Sequence, residues 1–242
     1  MIKRLRLALL ISGGGTTASA IIKACFSEKI SIDPVLVVAS NASISGIERV
    51  KEAGVKAESV TVIDPKQFDT ASKFGEEILG WCKKCKVDLI GQYGWLPLTP
   101  ANVIQEYEGK IINQHPGPLD TGRPDFGGKG MYGKRVQAAI LYFRRMTKHD
   151  YWTEATTHFV TAEFDKGGVI KRKKVAIVPN DTVESLQDRI RPIEHVVQIA
   201  ALADFADGKV KIVHREKPLI KDSELKILGE AKRIAAIFYP NG

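Results

Sequence analysis

The sequence predicts an α/β fold: a doubly wound, mostly parallel sheet with helices on both faces. Two observations indicate it. Short apolar runs alternate with helix-periodic segments over the first hundred residues, and a glycine-rich turn follows the first of these runs. Strands that alternate with helices need crossover connections, which place parallel strands side by side beneath helices. In such sheets, ligands bind beyond the carboxyl ends of the strands.

Each element follows from its own residues. Residues 5–11 are apolar over the length of one strand, and Ala18, Ile21 and Cys25 recur at the helical period directly after them. Gly54 ends the second helical segment, as glycine commonly does. The predicted strands are residues 5–11, 34–39, 55–63, 87–90, 110–113, 156–161 and 168–177. The predicted helices are residues 16–26, 46–53, 68–85, 131–145 and 182–205, and residues 114–130 form a long loop.

The composition is that of a folded protein with a substantial core. The chain has 242 residues, of which 44% are hydrophobic and 26% charged. This length is enough for one large domain, and the apolar content is too high for a disordered chain. No apolar run approaches the roughly 20 residues of a membrane-spanning helix, so we expect no membrane association.

Charge and cysteine content narrow the class of protein further. The net charge of +8 fits either nucleic acid or small anionic substrates. The basic residues are scattered with little aromatic interleaving, which favours small-molecule substrates and disfavours nucleic acid. Three cysteines do not make a disulfide scaffold and indicate a reducing, cytoplasmic environment. Cys82 and Cys85 form a lone C-x-x-C pair without further zinc ligands, so we expect no metal.

The glycine-rich turn after the first strand is a candidate anion site. Gly15 precedes Thr16 and Thr17 at the start of the first predicted helix. Glycine lets a ligand approach the backbone closely, and the free N–H groups of a helix N-terminus favour an anion. No lysine stands where a P-loop requires one. A turn that serves only packing remains the alternative.

Two further motifs bring polar side chains to strand ends. Asn113 ends the fifth predicted strand and His115 follows at the start of the long loop, where an amide and an imidazole can converge on one carbonyl oxygen. Asp165 lies in an Asp-x-Gly-Gly turn between two predicted strands, and a carboxylate beside a histidine would orient the imidazole. The alternatives are a loop cap with a surface histidine, and a simple turn.

The chain resembles the phosphoribosylglycinamide formyltransferase family over residues 5–213. Short motifs in the family's order carry this resemblance, and each stands in the expected structural context. They are residues 10–16, 98–100, 112–116, 158–161 and 165–170, with Glu194-His195 in the last long helix.

The resemblance implies the Rossmann-like formyltransferase fold and a catalytic trio of Asn113, His115 and Asp165. It implies 10-formyltetrahydrofolate as co-substrate, no metal, and glycinamide ribonucleotide as the acceptor in de novo purine synthesis. The implied ribotide-binding residues are Gly15, Thr16, Thr17 and Glu194, and the implied folate-binding residues are Trp95, Leu96, Pro97, Leu98 and Val103. We expect residues 1–213 to form the formyltransferase domain and residues 214–242 a basic C-terminal appendage.

Departures from the family pattern leave more than one formyl acceptor as an alternative. Gly117-Pro118-Leu119-Asp120 replaces the usual Ser-Leu-Leu-Pro, Leu96 replaces an arginine, and the span from Asn113 to Asp165 is longer than usual. We expect the long loop, residues 117–130, to close over the acceptor; a surface insertion is the alternative.

Several rival functions share these motifs. An amino-sugar nucleotide N-formyltransferase would use the same trio on another acceptor. Methionyl-tRNA formyltransferase would suit the charge but normally has a second β-rich domain, for which the residues after 213 are too few. A folate deformylase and a non-catalytic folate- or nucleotide-binding module complete the alternatives.

Overall fold

The computed structural model describes residues 4–242. The first three residues of the predicted formyltransferase domain lie outside the described chain. Strands and helices alternate along the first half. The strands are β1 (Leu5–Ile11), β2 (Ile32–Ala39), β3 (Val60–Val62), β4 (Leu89–Gln92), β5 (Ile111–His115), β6 (Trp152–Phe159) and β7 (Val169–Ala176). The helices are α1 (Thr16–Phe26), α2 (Gly46–Glu52), α3 (Ala71–Lys84), α4 (Ala101–Glu106), α5 (Lys134–Thr147), α6 (Val183–Ala206) and α7 (Leu225–Phe238).

The seven strands of residues 4–242 form one sheet in the order β3-β2-β1-β4-β5-β6-β7. The pairs β1–β2, β1–β4, β2–β3 and β4–β5 are parallel, whereas β6 and β7 form an antiparallel pair. The predicted mostly parallel α/β fold is therefore confirmed. Because β1, β4 and β5 are parallel, their carboxyl ends lie at one edge of the sheet, and the strand order runs outward in both directions from β1.

Some predicted elements needed correction. The strand predicted over residues 55–63 is shorter, because residues Ala57–Ser59 form a single 3₁₀ turn before β3. Helix α3 begins at Ala71 and not at residue 68, since the Thr70 hydroxyl accepts a hydrogen bond from the Lys73 N–H at 3.2 Å. Neither α4 nor α7 is among the helices predicted from the sequence. The latter lies within the C-terminal segment that was expected to be an appendage.

The chain divides into two compact units, each with its own core. The first comprises the residues as far as Asn113 together with Gln198–Val210, and the second comprises Gln114–Val197 and Lys211–Gly242. In the first unit, β1 is fully buried from Leu7 to Ile11. In the second, α5 packs on α7 through one hydrophobic cluster. No helix within residues 4–242 combines the length and apolar character needed to cross a membrane.

Candidate active site

The second unit brings two histidines onto one carboxylate. His115 Nδ1 lies 3.8 Å from Asp165 Oδ2, and His158 Nε2 lies 3.4 Å from Asp165 Oδ1. Both histidines are 2% exposed. His115 ends β5, His158 lies in β6, and Asp165 lies in the turn between β6 and β7. This His–Asp–His cluster thus joins two sequence-predicted residues with a third that the sequence analysis did not single out.

The turn that carries Asp165 has a backbone that few sequences can adopt. Asp165 itself has a φ of +55°, in the left-handed region. A Cβ on Gly167 would lie 1.8 Å from the carbonyl oxygen of Phe159, so only glycine fits there. The Phe159 N–H in turn donates to the Gly168 carbonyl at 3.0 Å, which closes the hairpin. The predicted turn is therefore confirmed, and it fixes where the carboxylate emerges.

The surroundings of Asp165 keep its carboxylate ionised. Burial alone would raise the pKa of Asp165, but His115, a hydrogen bond from His158 and the Gly128 N–H outweigh burial and hold that pKa well below its usual range. The Gly128 N–H donates to Asp165 Oδ2 at 2.8 Å. A carboxylate fixed at both oxygens in this way can orient an imidazole.

His115 is held neutral near pH 7. Burial lowers the pKa of His115 to about 4; the Asp165 carboxylate opposes this shift, whereas His158 and Lys232 add to it. The carboxylate by itself would favour the protonated imidazole, but burial of the ring has the larger effect. Among residues 4–242, no group forms a hydrogen bond with His115 Nε2, although the atom is buried. This nitrogen can accept a proton from a bound reactant.

The long loop of residues 117–130 is bonded to the rest of the second unit. Thr121 Oγ1 accepts a hydrogen bond from the Val169 N–H at 3.2 Å, and the Gly122 N–H donates to the Lys166 carbonyl at 3.1 Å. Together with the bond from Gly128 to Asp165, these contacts place the loop against the turn that carries the carboxylate. Closure of this loop over an acceptor stays a prediction.

Glu194 supplies a second buried carboxyl in the same unit. Burial raises the pKa of Glu194 to about 7, and a hydrogen bond with the Gln114 side chain opposes the shift. The described residues offer no hydrogen-bond partner to Glu194 Oε1. Gln114 immediately precedes His115, so β5 carries polar side chains to both faces of the sheet. A buried acceptor of this kind suits a ligand hydroxyl or amine.

In the first unit, the glycine-rich turn holds the start of α1 in a backbone conformation that requires glycine. Gly15 has a φ of +64°, and a Cβ there would lie 2.9 Å from the Gly46 Cα. Thr16 is exposed and Thr17 buried, and no side chain caps the helix. The first-turn N–H groups of α1 are therefore not used by a capping side chain. The Arg49 guanidinium donates to the Gly14 carbonyl, which adds a cation beside the turn.

The segment predicted to contact folate lies close to that turn within the first unit. The Leu96 N–H donates to Ser12 Oγ at 3.0 Å, and Ser12 follows β1 directly. Trp95 is buried and stacks on Phe74 with ring centroids 6.3 Å apart. Leu96 and Leu98 are each 58% exposed, so both offer apolar surface to a flat ring.

The remaining predicted folate residues differ in exposure. Pro97 is half-buried, whereas Val103 lies inside α4 and has no exposed surface. Its side chain therefore offers no surface to a ligand in this structure, and its contact with folate stays a prediction.

Asn113 lies in β5, opposite Gln92 of β4 in the parallel ladder. It precedes His115 by two residues, and alternate residues of a strand project to the same face. The strand thus places the amide and the imidazole on one side of the sheet, as the sequence predicted. Asn113, His115 and Asp165 keep their catalytic roles as a prediction.

Three residues of these sites were not predicted. His158 lies in the His-Phe-Val-Thr motif that carried the resemblance, so its chemistry could have been read from the sequence. Arg49 and Lys232 had no such signal, because each stands in an ordinary amphipathic helix. Among residues 4–242 there is no group of three or more potential metal ligands.

Comparison with known proteins places this arrangement in a family. A family model described as formyl transferase matches residues 5–202. The chloroplastic phosphoribosylglycinamide formyltransferase of Arabidopsis thaliana is 28% identical over 222 residues, which are 92% of this chain and 72% of the relative.

Solved structures agree with this match. Glycinamide ribonucleotide transformylase 1 of Symbiobacterium toebii has a TM-score of 0.74 at 28% identity, with 87% of this chain and 94% of that chain covered. Its namesake from Geobacillus kaustophilus has a TM-score of 0.71 at 30% identity, with 84% and 100% covered. The chain therefore belongs to the formyl transferase family.

Proposed function

We propose that this protein transfers the formyl group of 10-formyltetrahydrofolate to the amine of glycinamide ribonucleotide, a step of de novo purine synthesis. The observation that carries the proposal is the buried His115 beside Asp165, with Nε2 unbonded among the described residues. The related proteins named phosphoribosylglycinamide formyltransferase and glycinamide ribonucleotide transformylase support this choice of acceptor.

The chemistry follows from the groups that the trio supplies. The amine nitrogen attacks the formyl carbon, and the electron pair of the carbonyl bond moves to its oxygen. Asn113 donates a hydrogen bond to this oxyanion, an interaction whose loss typically costs about 10²–10³ in rate. Neutral His115 accepts the proton that the amine nitrogen loses, and Asp165 stabilises the resulting imidazolium. The oxyanion then reforms the carbonyl as the bond from the formyl carbon to folate N10 breaks, N10 takes the proton from the His115 imidazolium, and tetrahydrofolate leaves.

The substrates have separate binding groups in this proposal. The phosphate of the ribotide binds at Gly15, Thr16 and Thr17, where helix N–H groups and Arg49 favour an anion. Glu194 accepts hydrogen bonds from the ribotide. The folate ring lies on the segment Trp95 to Leu98, with Val103 beneath it. Much of the rate enhancement then comes from holding two substrates together.

The state of the three cysteines fits a cytoplasmic enzyme that acts on small molecules. Cys25, Cys82 and Cys85 are all unpaired in the structure. Burial raises the pKa of Cys25 and of Cys82 to about 12, so neither is a reactive thiolate. Unpaired thiols persist in reducing compartments, which supports a cytoplasmic location.

One observation favours a second class of acceptor, the amino-sugar nucleotides. The loop of residues 117–130 departs from the family sequence and contacts the turn that carries Asp165. An N-formyltransferase of amino-sugar nucleotides would keep the trio and change this loop.

An acceptor screen tests the proposal. The purified protein is given 10-formyltetrahydrofolate with glycinamide ribonucleotide, an amino-sugar nucleotide, charged initiator tRNA or no acceptor, and the absorbance of the formyl folate is followed. We expect fast loss only with glycinamide ribonucleotide. Turnover without any amine would indicate a folate deformylase. If no acceptor supports turnover, the protein would be a non-catalytic folate- or nucleotide-binding module.

A further inference from the structure

The C-terminal helix α7 reaches the loop that faces Asp165. Lys232 of α7 donates from Nζ to the Gly127 carbonyl oxygen at 2.8 Å. Lys232 is partly buried, although it stands in an amphipathic helix that begins more than twenty residues beyond the part of the chain matched by the family model. A lysine ammonium that points inward onto a backbone carbonyl loses part of its hydration. We therefore expect a negative charge beyond that carbonyl to compensate for the loss.

A single peptide group connects Lys232 to the carboxylate of Asp165. The carbonyl of Gly127 and the N–H of Gly128 belong to the same planar peptide unit. Its carbonyl oxygen accepts from the Lys232 ammonium, and its N–H donates to Asp165 Oδ2 at 2.8 Å. The peptide therefore lies between a cation and a carboxylate, with its dipole aligned to both charges. Each bond is charge-assisted, and each polarises the other.

Only glycine allows this peptide to approach the carboxylate so closely. A Cβ on Gly127 would lie 2.6 Å from Asp165 Oδ2 and 2.9 Å from Leu119 Cδ2. Gly128 has a φ of +96°, which side chains other than hydrogen rarely allow. The two glycines thus place the peptide on Asp165, while Lys232 fixes the orientation of its carbonyl.

Packing holds α7 in the position that this contact needs. Leu228, Ala231 and Ala235 are buried in one cluster with side chains of α5, and Phe126 belongs to the same cluster. Arg135 of α5 also donates from Nε to the Tyr239 carbonyl at 2.7 Å, just past the end of α7. The helix and the residue that precedes Gly127 are therefore parts of one core.

Acidic side chains lie near Lys232 on the side of the loop of residues 117–130. Burial lowers the pKa of Lys232, and the carboxylates of Asp125 and Asp165 oppose that shift. Asp125 is buried, and its Oδ1 lies 3.6 Å from Arg123 Nε. On the far side of Asp165, the groups that face its carboxylate are the imidazoles of His115 and His158.

We propose that Lys232 is a positioning residue for Asp165, acting through the Gly127–Gly128 peptide, and that α7 is by this contact a working part of the active site. The proposal rests on the proposed role of Asp165 in formyl transfer. Loss of the ammonium frees the peptide to rotate, so the carboxylate loses its N–H donor and its fixed orientation towards His115.

The test replaces Lys232 by methionine and measures two quantities in the full-length protein. The first is the titration of the His115 imidazole by NMR, which requires no substrate. Lys232→Met removes a charge that depresses the His115 pKa and leaves Asp165 with one donor fewer, so we expect that pKa to rise. The second is formyl transfer, for which we expect kcat to fall at least about tenfold while the KM of the acceptor changes little.

Lys226→Met is the matched control, because Lys226 is an exposed lysine of the same helix and its loss changes the net charge equally. We expect it to leave both quantities unaltered. Lys232→Gln, which keeps a donor without the charge, should give an intermediate shift and serves as the test if Lys232→Met does not fold.

An unchanged His115 titration in the folded Lys232 variants would overturn the proposal, even if their melting temperature falls. If the His115 titration shifts while Asp165→Asn transfers formyl normally, the contact is real and the proposed role of Asp165 fails instead.

Discussion

The glycine-rich turn after β1 and the His115–Asp165–His158 cluster are built in different ways. The turn uses backbone groups from one short segment, and its geometry depends on Gly15, whose φ is +64°. The cluster uses side chains from β5, β6 and the turn before β7, all of them buried or nearly so. An anion needs only N–H groups and an open approach, whereas proton transfer needs side chains whose pKa values the fold has changed. The two regions should therefore respond differently to mutation.

The largest expected effect lies in the cluster. We predict that His115→Ala and Asp165→Asn each lower kcat by at least about 10²-fold, because they remove the proton acceptor or the group that orients it. Steady-state kinetics measure the loss, and circular dichroism checks that the fold survives. Turnover near that of the wild type in either variant would exclude that residue from the mechanism.

The turn should respond through stability and anion binding. Gly15→Ala forces a side chain into the left-handed region and towards the Gly46 Cα, where the Cβ would lie at 2.9 Å. We expect a loss of about 2–3 kcal/mol in the free energy of unfolding and weaker binding of the phosphorylated acceptor. Gly13→Ala is the control, since no atom lies within 4 Å of its added Cβ. Equal effects of the two substitutions would contradict this account.

Burial of His115 should also be visible in the pH dependence of stability. The folded-state pKa of about 4 lies below the unfolded value of 6.5, so the unfolded chain takes up the proton first as the pH falls. Stability from this group is complete above pH 6.5 and is lost as the pH drops towards 4. Between pH 7 and pH 5 the loss is about 2 kcal/mol.

Denaturant unfolding of the wild type and of His115→Gln at both pH values isolates this contribution. Glu194, whose burial raises its pKa to about 7, acts in the opposite direction in both proteins and cancels in the difference. The same pH dependence in the two proteins would mean that His115 is not buried as the structure places it.

The smallest expected effect concerns Arg49, which lies beside the turn. Arg49→Met should raise the KM of the phosphorylated acceptor by roughly fivefold and leave kcat nearly unchanged, since a partly exposed cation adds little to an anion already held by backbone N–H groups. Lys51→Met, on the same helix, is the control. A large fall in kcat on loss of Arg49 would mean that the turn takes part in more than binding.

The part of each site that could be predicted from the sequence is the part that local geometry controls. The turn at Gly15 and the Asp165 turn could be predicted because each requires glycine at a fixed position within a few residues. Asn113 and His115 could be predicted because alternation along a strand sets their common face. The strand over residues 55–63 came out too long, since residues Ala57–Ser59 form a 3₁₀ turn that the strand pattern of this segment does not reveal.

The sequence by itself determined the fold class and the family, because periodicity and short motifs are properties of neighbouring residues; the trio that it indicates stays a prediction. Tertiary structure alone decided which distant groups meet. Lys232 and Gly127 are 105 residues apart in sequence, yet their atoms lie at hydrogen-bond distance. It also decided that His115 is neutral, since a pKa depends on burial and on charges brought in from other segments. Contacts of this kind arise only when the chain packs, and they set how the predicted residues work.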